Sequence, residues 1–220
     1  MLINTAGGIT GGDQFDIRGE AGAGASLTLT TQAAERVYKA QTGQTGWVKT
    51  HLTARPDSQL FWLPQETILY DKAALQRSLR VDLAPSAQFL MCEAVIFGRH
   101  AMGETVSDLH FHDRVDIRRD GKLIYRDGVR LTGDAAAALR NPAVGAGARA
   151  MASVVWVAPH AQGQLDMVRK HFGKTGGASM LDTDVMVMRL LAEDGFLLRR
   201  ALVPVLDLLT RNSLPQCWRL

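Results

Sequence analysis

Four carboxylates recur at comparable places in this 220-residue chain. Asp13 follows a double glycine in GGITGGD, Glu35 lies in TTQAAERVY, Glu66 in LPQETILYD and Glu93 in LMCEAVIFG. The last three fall 8, 6 and 4 residues after Leu27, Leu60 and Phe89, three positions at which an apolar run opens. If those runs stack, the carboxylates gather along one side of the stack. Hard divalent cations take oxygen ligands, so a column of carboxylates among backbone carbonyls can pass such an ion weakly from one position to the next. The plainer use is that each carboxylate accepts hydrogen bonds from backbone N–H groups at a strand end. Paired carboxylates also hydrolyse glycosides, at separations of about 5–5.5 Å or about 6.5–9.5 Å. A carbohydrate-active β-solenoid enzyme is therefore the alternative reading, although aromatic residues for sugar stacking make up only 6% of the chain.

Other chemistry-bearing residues are less well supported. His110-x-His112 on a strand points both imidazoles to one face, with Asp113 next to it, but no third or fourth ligand is near in sequence. Cys92 and Glu93 are neighbours on a strand and face opposite ways, so Cys92 reads as a core thiol. There is no GxSxG elbow. GGITGGD lacks the Lys-Ser/Thr of a phosphate loop, and no helix follows it as a dinucleotide fingerprint requires.

The elements that must carry these residues follow one template. Phe15–Thr30, Val48–Leu63 and Leu79–Met91 each hold an alternating apolar run, a turn of small residues and Pro, and a second apolar run. The second runs open 33 and 29 residues apart. A period of this size means one supersecondary unit repeated and stacked on a shared core. The expected fold is all-β dominated, with stacked strand pairs in a two-layered, β-helix-like architecture plus a C-terminal helix. His110–Leu131 reads as a further strand pair turning at Asp120-Gly121. Asp134–Arg140 reads as a short helix, Ala150–Ala158 as a buried strand and Asp184–Leu190 as a strand, while Gln164–Phe172 is ambiguous between helix and strand, with a short helix closed by Gly173 favoured. Apolar residues at a 3.6 period mark Asp194–Thr210 as a helix that Pro204 should kink or restart. Met1-Leu2-Ile3 reads as the end of a strand already under way, so strands preceding it are expected to be missing.

Composition bounds the rest. A chain of 24.0 kDa with 46% hydrophobic residues needs no disulfide staple. Its two cysteines, Cys92 and Cys217, form no CxxC, and a reducing cytoplasm is the default expectation. No run of 18 apolar residues marks a membrane span. The net charge is +3, and its basic residues are interleaved with Asp rather than with stacking aromatics, so no nucleic-acid partner is expected.

LINTAGGITGGD, LTLTTQAAERVY and LPQETILYD, with the ending LPQCWRL, resemble in order the urease accessory protein UreD (UreH) family, over Leu2 to Leu220. The resemblance implies a single domain over 1–220 and a non-enzymatic scaffold and metallochaperone. It implies the urease apoprotein, UreF-like and UreG-like accessory proteins as partners, and nickel delivery to the urease active site. It also implies an internal channel as the nickel path. No tightly bound cofactor is expected, only transient nickel(II). Asp13, Glu35 and Glu66 sit at matching motif positions and, with Glu93 added by its place in the pattern, become the candidates for that path. Leu202, Val205, Leu209 and Trp218, on the last helix and tail, become the candidates for contact with the UreF-like partner.

Overall fold

Parallel register organises the molecule. The computed structural model describes residues 1–219, and in it the chain winds back and forth between two sheets. β1 (Gln14–Ala21) lies in the first sheet, and β2 (Ser26–Leu29) and β3 (Glu35–Val37) lie in the second. The next turn repeats this with β4 (Gly46–Ala54), then β5 (Gln59–Trp62) and β6 (Thr67–Leu69). The third uses β7 (Ala74–Leu83) and one long strand, β8 (Gln88–Phe97). Corresponding strands pair in parallel, and Leu27, Leu60 and Phe89 are direct register partners. The sequence period is thus the length of one turn of a coil.

β9 (Leu109–Arg119) adds to β7 in parallel, and β10 (Lys122–Gly133) returns antiparallel, giving a five-stranded order β1-β4-β7-β9-β10. Asp120 and Gly121 join them at φ 48° and 73°, the two left-handed residues that a tight hairpin requires. After α1 (Ala135–Arg140), the second sheet is extended antiparallel by β11 (Ala150–Val157), β12 (Gly176–Asp182) and β13 (Val185–Ala192). Its order is β12-β13-β11-β8-β5-β2, with β6 beside β8 and β3 beside β6. α2 (Ala161–Lys170) and α3 (Gly195–Leu209) pack on the outer face of this second sheet. Asp134 and Asp194 cap α1 and α3 through the N–H groups of Ala137 and Leu197.

Three apolar blocks result. One lies under the helices, around Leu90, Trp156, Leu202 and Trp218. Two lie between the sheets, one around Leu52, Leu60, Phe89 and Ile117, the other around Val37, Leu69, Val95 and Phe111. A polar belt separates these last two.

Several expectations change in detail. Leu2 makes a parallel bridge to Thr31, and Ile9 makes another to Val37. α2 begins at Ala161 instead of Gln164. α3 continues through Pro204, which is exposed, so the carbonyl its missing N–H leaves free faces solvent. β3, β6 and β12 were not anticipated. The first two are three residues long, too short for any periodicity to show.

Candidate functional site

The polar belt is built by charged residues that occupy inward positions on strands. On β7, Leu75, Leu79 and Val81 face inward, and Arg77 shares their phase. On β9, Leu109, Phe111, Val115 and Ile117 face inward, and Asp113 shares theirs. The two are register partners on adjacent parallel strands. Arg77 Nε and Nη2 donate to the two Asp113 oxygens at 3.0 and 2.5 Å, a fork-on-carboxylate pair. Arg77 Nη1 donates to Thr67 Oγ1 at 3.2 Å.

Glu93 reaches the same guanidinium from the facing sheet. β8 pairs with β5 through Met91 and resumes pairing with β6 at Val95. Pro64, which has no N–H to give a ladder, lies in the break between β5 and β6. Glu93 sits opposite that break. Its Oε1 accepts from Trp62 Nε1 at 3.0 Å, and its Oε2 lies 3.2 Å from Arg77 Nη2. That contact is not a well-aligned hydrogen bond, and Oε2 accepts none from the protein. Burial pushes the Glu93 carboxyl above the usual carboxylate range; Arg77 opposes this, and the negative charge of Asp113 adds to it. Burial also works against the charge of Arg77, but the two carboxylates outweigh it and hold the guanidinium firmly protonated.

The belt forms one wall of a cavity of about 480 Å³ between the sheets. Leu2, Ile9, Phe15, Ile17 and Leu75 supply apolar walls, while Arg77, Glu93, Asn4 and Glu35 are among its polar lining. Glu35 opens β3, and Asn4 Nδ2 lies 3.0 Å from each of its oxygens. Burial raises its carboxyl above the ordinary value, against the hydrogen bond from Asn4.

The structure therefore brings together two of the four sequence-derived carboxylates. Glu35 and Glu93 line one cavity. Glu66 faces the opposite side of the sheet, where its Oε1 accepts from Arg199 Nη1 of α3 at 2.8 Å. Arg199 also donates to Gln65 Oε1 and to the Cys217 carbonyl, and it lies 5.1 Å from the Trp218 ring. Asp13 sits in the turn before β1, outside the cavity lining, with Oδ2 accepting from the Thr10 N–H at 2.8 Å. The column along one side is not formed, because side chains alternate between faces and Glu66 falls in the other phase. His110 and His112 point outward from β9 while Asp113 points inward. Among the described residues, no three His, Cys, Asp or Glu side chains are grouped so as to hold a metal ion.

The candidates for partner contact also need correction. Leu202, Val205, Leu209 and Trp218 are all buried in the block beneath α3, and Trp218 Nε1 donates to the Leu63 carbonyl at 3.0 Å. The 3.6-residue apolar stripe that singled them out is the face that attaches the helix to its own sheet. The solvent side of α3 carries Phe196, Arg200 and Pro204 instead.

Arg77, Thr67 and Trp62 were not singled out from sequence, and Asp113 was noted only as a neighbour of His110 and His112. For Arg77 and Asp113 the signal was present: a charge in the apolar phase of an alternating strand.

A family model described as UreD urease accessory protein matches residues 1–219. The chain is similar to a protein of Roseobacter denitrificans named urease accessory protein UreD, at 64% identity over all of this chain and 80% of that protein. Proteins of the same name from Ruegeria sp. strain TM1040 and Agrobacterium fabrum are 51% and 43% identical, each over all of this chain and 77% of its own length. No helix among the described residues is long and apolar enough to cross a membrane.

Proposed function

The chain belongs to the UreD urease accessory protein family, and from that premise we propose that it is a cytoplasmic, non-catalytic scaffold for urease maturation. In this reading it binds the urease apoprotein, joins UreF-like and UreG-like accessory proteins, and lets nickel(II) pass on its way to the urease active site. The ion is cargo, held briefly and never kept.

One observation carries the nickel role. Glu93 Oε2 is a buried carboxylate oxygen, on the cavity lining, that accepts no hydrogen bond from the protein. Its cationic neighbour Arg77 is committed by two hydrogen bonds to Asp113, so Oε2 keeps lone pairs for a further donor or cation. A divalent ion entering from the Glu35 side gains an oxygen ligand there. Arg77 limits the dwell time, because its positive charge, already shared between Asp113 and Glu93, repels a second cation. This combination supports transit over storage. The glycosidase alternative loses its pair, since Glu66 lies across the sheet from Glu35 and Glu93, and Glu93 is tied to Arg77.

Glu93→Gln keeps shape and removes the anionic ligand. With the full chain, urease apoprotein and accessory proteins, the variant should still co-purify with urease while nickel-dependent activation falls about tenfold, the effect of losing roughly 1.4 kcal/mol of ligation. Glu66→Gln, on the opposite face, should leave activation near the wild-type level. Full activation by Glu93→Gln would remove the cavity from the nickel path.

A further inference from the structure

The two sheets are treated unequally by the rest of the chain. α2 and α3 cover the outer face of the second sheet, whereas among the described residues no helix lies across the outer face of the first. Alternation puts a continuous polar surface there. Across the five strands one rung reads Arg18, His51, Arg80, Asp116, Arg126, by direct register. The adjacent rung brings Lys49 and Arg114 alongside.

Cations outnumber carboxylates on this surface, and the carboxylates are already engaged. Asp116 accepts from both Arg114 and Arg126, at 2.7 and 2.6 Å. Asp82 serves both Arg80 Nε at 2.9 Å and His51 Nε2 at 2.7 Å. Each shared carboxylate fixes two basic side chains without consuming all their donors. The side chains of Arg80, Arg114 and Arg126 stay 60%, 50% and 49% exposed. Trp47 stands exposed at one end of the sheet, with Lys49 Nζ 5.7 Å from its ring centroid. Arginine and tryptophan, here exposed on one face, are among the residue types that dominate protein–protein binding energy.

We propose that this outward face of β1, β4, β7, β9 and β10 docks an acidic protein surface. Resting on the reading above, that surface belongs to the urease apoprotein. A flat face five strands wide spans about 20 Å at a strand spacing of about 4.8 Å. With side chains included, its area is on the order of the ~800 Å² that one partner gives a standard interface. Asp82 and Asp116 break the cations into separate arginine clusters rather than the unbroken cationic track that a phosphate backbone requires, so the pattern suits discrete acidic side chains better than nucleic acid. A second copy of the chain would present like charge and be repelled.

The test is binding of the full chain to immobilised urease apoprotein at about 150 mM salt, with higher salt as a screen. Two triple variants are compared: Arg80→Glu/Arg114→Glu/Arg126→Glu, and the milder Arg80→Gln/Arg114→Gln/Arg126→Gln. Thermal unfolding checks that each is folded. The Glu triple should weaken binding at least about 100-fold and the Gln triple about tenfold, with Arg200→Glu on the helix side unchanged. Wild-type-like binding by the folded Gln triple overturns the docking face while the urease reading stands. Failure of the wild-type chain to bind urease overturns both. Tight binding of duplex DNA by the wild type, lost in the triples, would reassign the face to nucleic acid and end the proposal.

Discussion

Asp113 and Asp116 lie three residues apart on β9, and each is gripped by arginine, yet they belong to different worlds. Asp113 points inward, takes both arms of Arg77 and shares that guanidinium with Glu93 between the sheets. Asp116 points outward and holds Arg114 and Arg126 against solvent. The chemistry of the pairs is the same and the surroundings differ. Inside, each charge has lost its water, so the arrangement holds only if all partners are present. Outside, water competes for every contact, so no single pair matters much to stability and the arginines remain free to recognise something else. One sheet thus offers a committed interior and an available exterior.

The sharpest break of this comparison is on the interior side. Arg77→Met leaves Asp113 and Glu93 facing each other with no cation, and should cost about 3–5 kcal/mol in chemical denaturation. Restoring charge balance should recover most of it: Arg77→Met with Glu93→Gln and Asp113→Asn should unfold within about 1–2 kcal/mol of wild type, since removing all partners of a buried network costs less than removing one. If Arg77→Met alone is as stable as wild type, the belt is wetter than the sheets imply and the contrast with Asp116 disappears.

That contrast was half legible in the sequence. The rungs were readable because Leu27, Leu60 and Phe89 open their runs one turn of the coil apart, and stacking converts period into register. The carboxylates were readable as residues but not as a cluster. Glu35 and Glu93 meet one cavity because three-residue strands and a proline break set their phase, and neither feature leaves a periodic trace. Arg77 and Asp113 were visible as charges in an apolar phase, but the guanidinium that joins them to Glu93 crosses between sheets, a contact no local pattern encodes. The α3 stripe misled for a related reason. Periodicity shows that a face is buried, not what buries it, and Leu202, Val205 and Leu209 bury against their own sheet.

A smaller effect sharpens the interior case through pH. The Glu93 carboxyl is raised in the folded chain by burial, against the pull of Arg77. Between its unfolded value, near 4.5, and its higher folded value, the folded state binds the extra proton. Stability therefore falls as pH rises through that window, by up to about 1.4 kcal/mol per pH unit for one proton. Glu93→Gln carries no proton to lose, so its stability–pH curve should be flatter there than the wild-type curve. Parallel curves would mean that Arg77 already holds Glu93 ionised throughout that window.

The smallest effect belongs to the exterior. Hydrogen bonds from Arg126 and Arg114 hold the Asp116 carboxyl below its ordinary value, with partial burial opposing them. The sign is the reverse of that for Glu93: the contribution is present above the unfolded value near 3.8 and is lost as pH falls through the folded one. Because the arginines remain half exposed, Asp116→Asn should cost less than about 1 kcal/mol at neutral pH, and that difference should shrink further with added salt. A loss approaching that of Arg77→Met would show that the outer face stabilises the fold in its own right. The arginines would then be structural, and the case for an available exterior would fail on stability grounds before any partner is added.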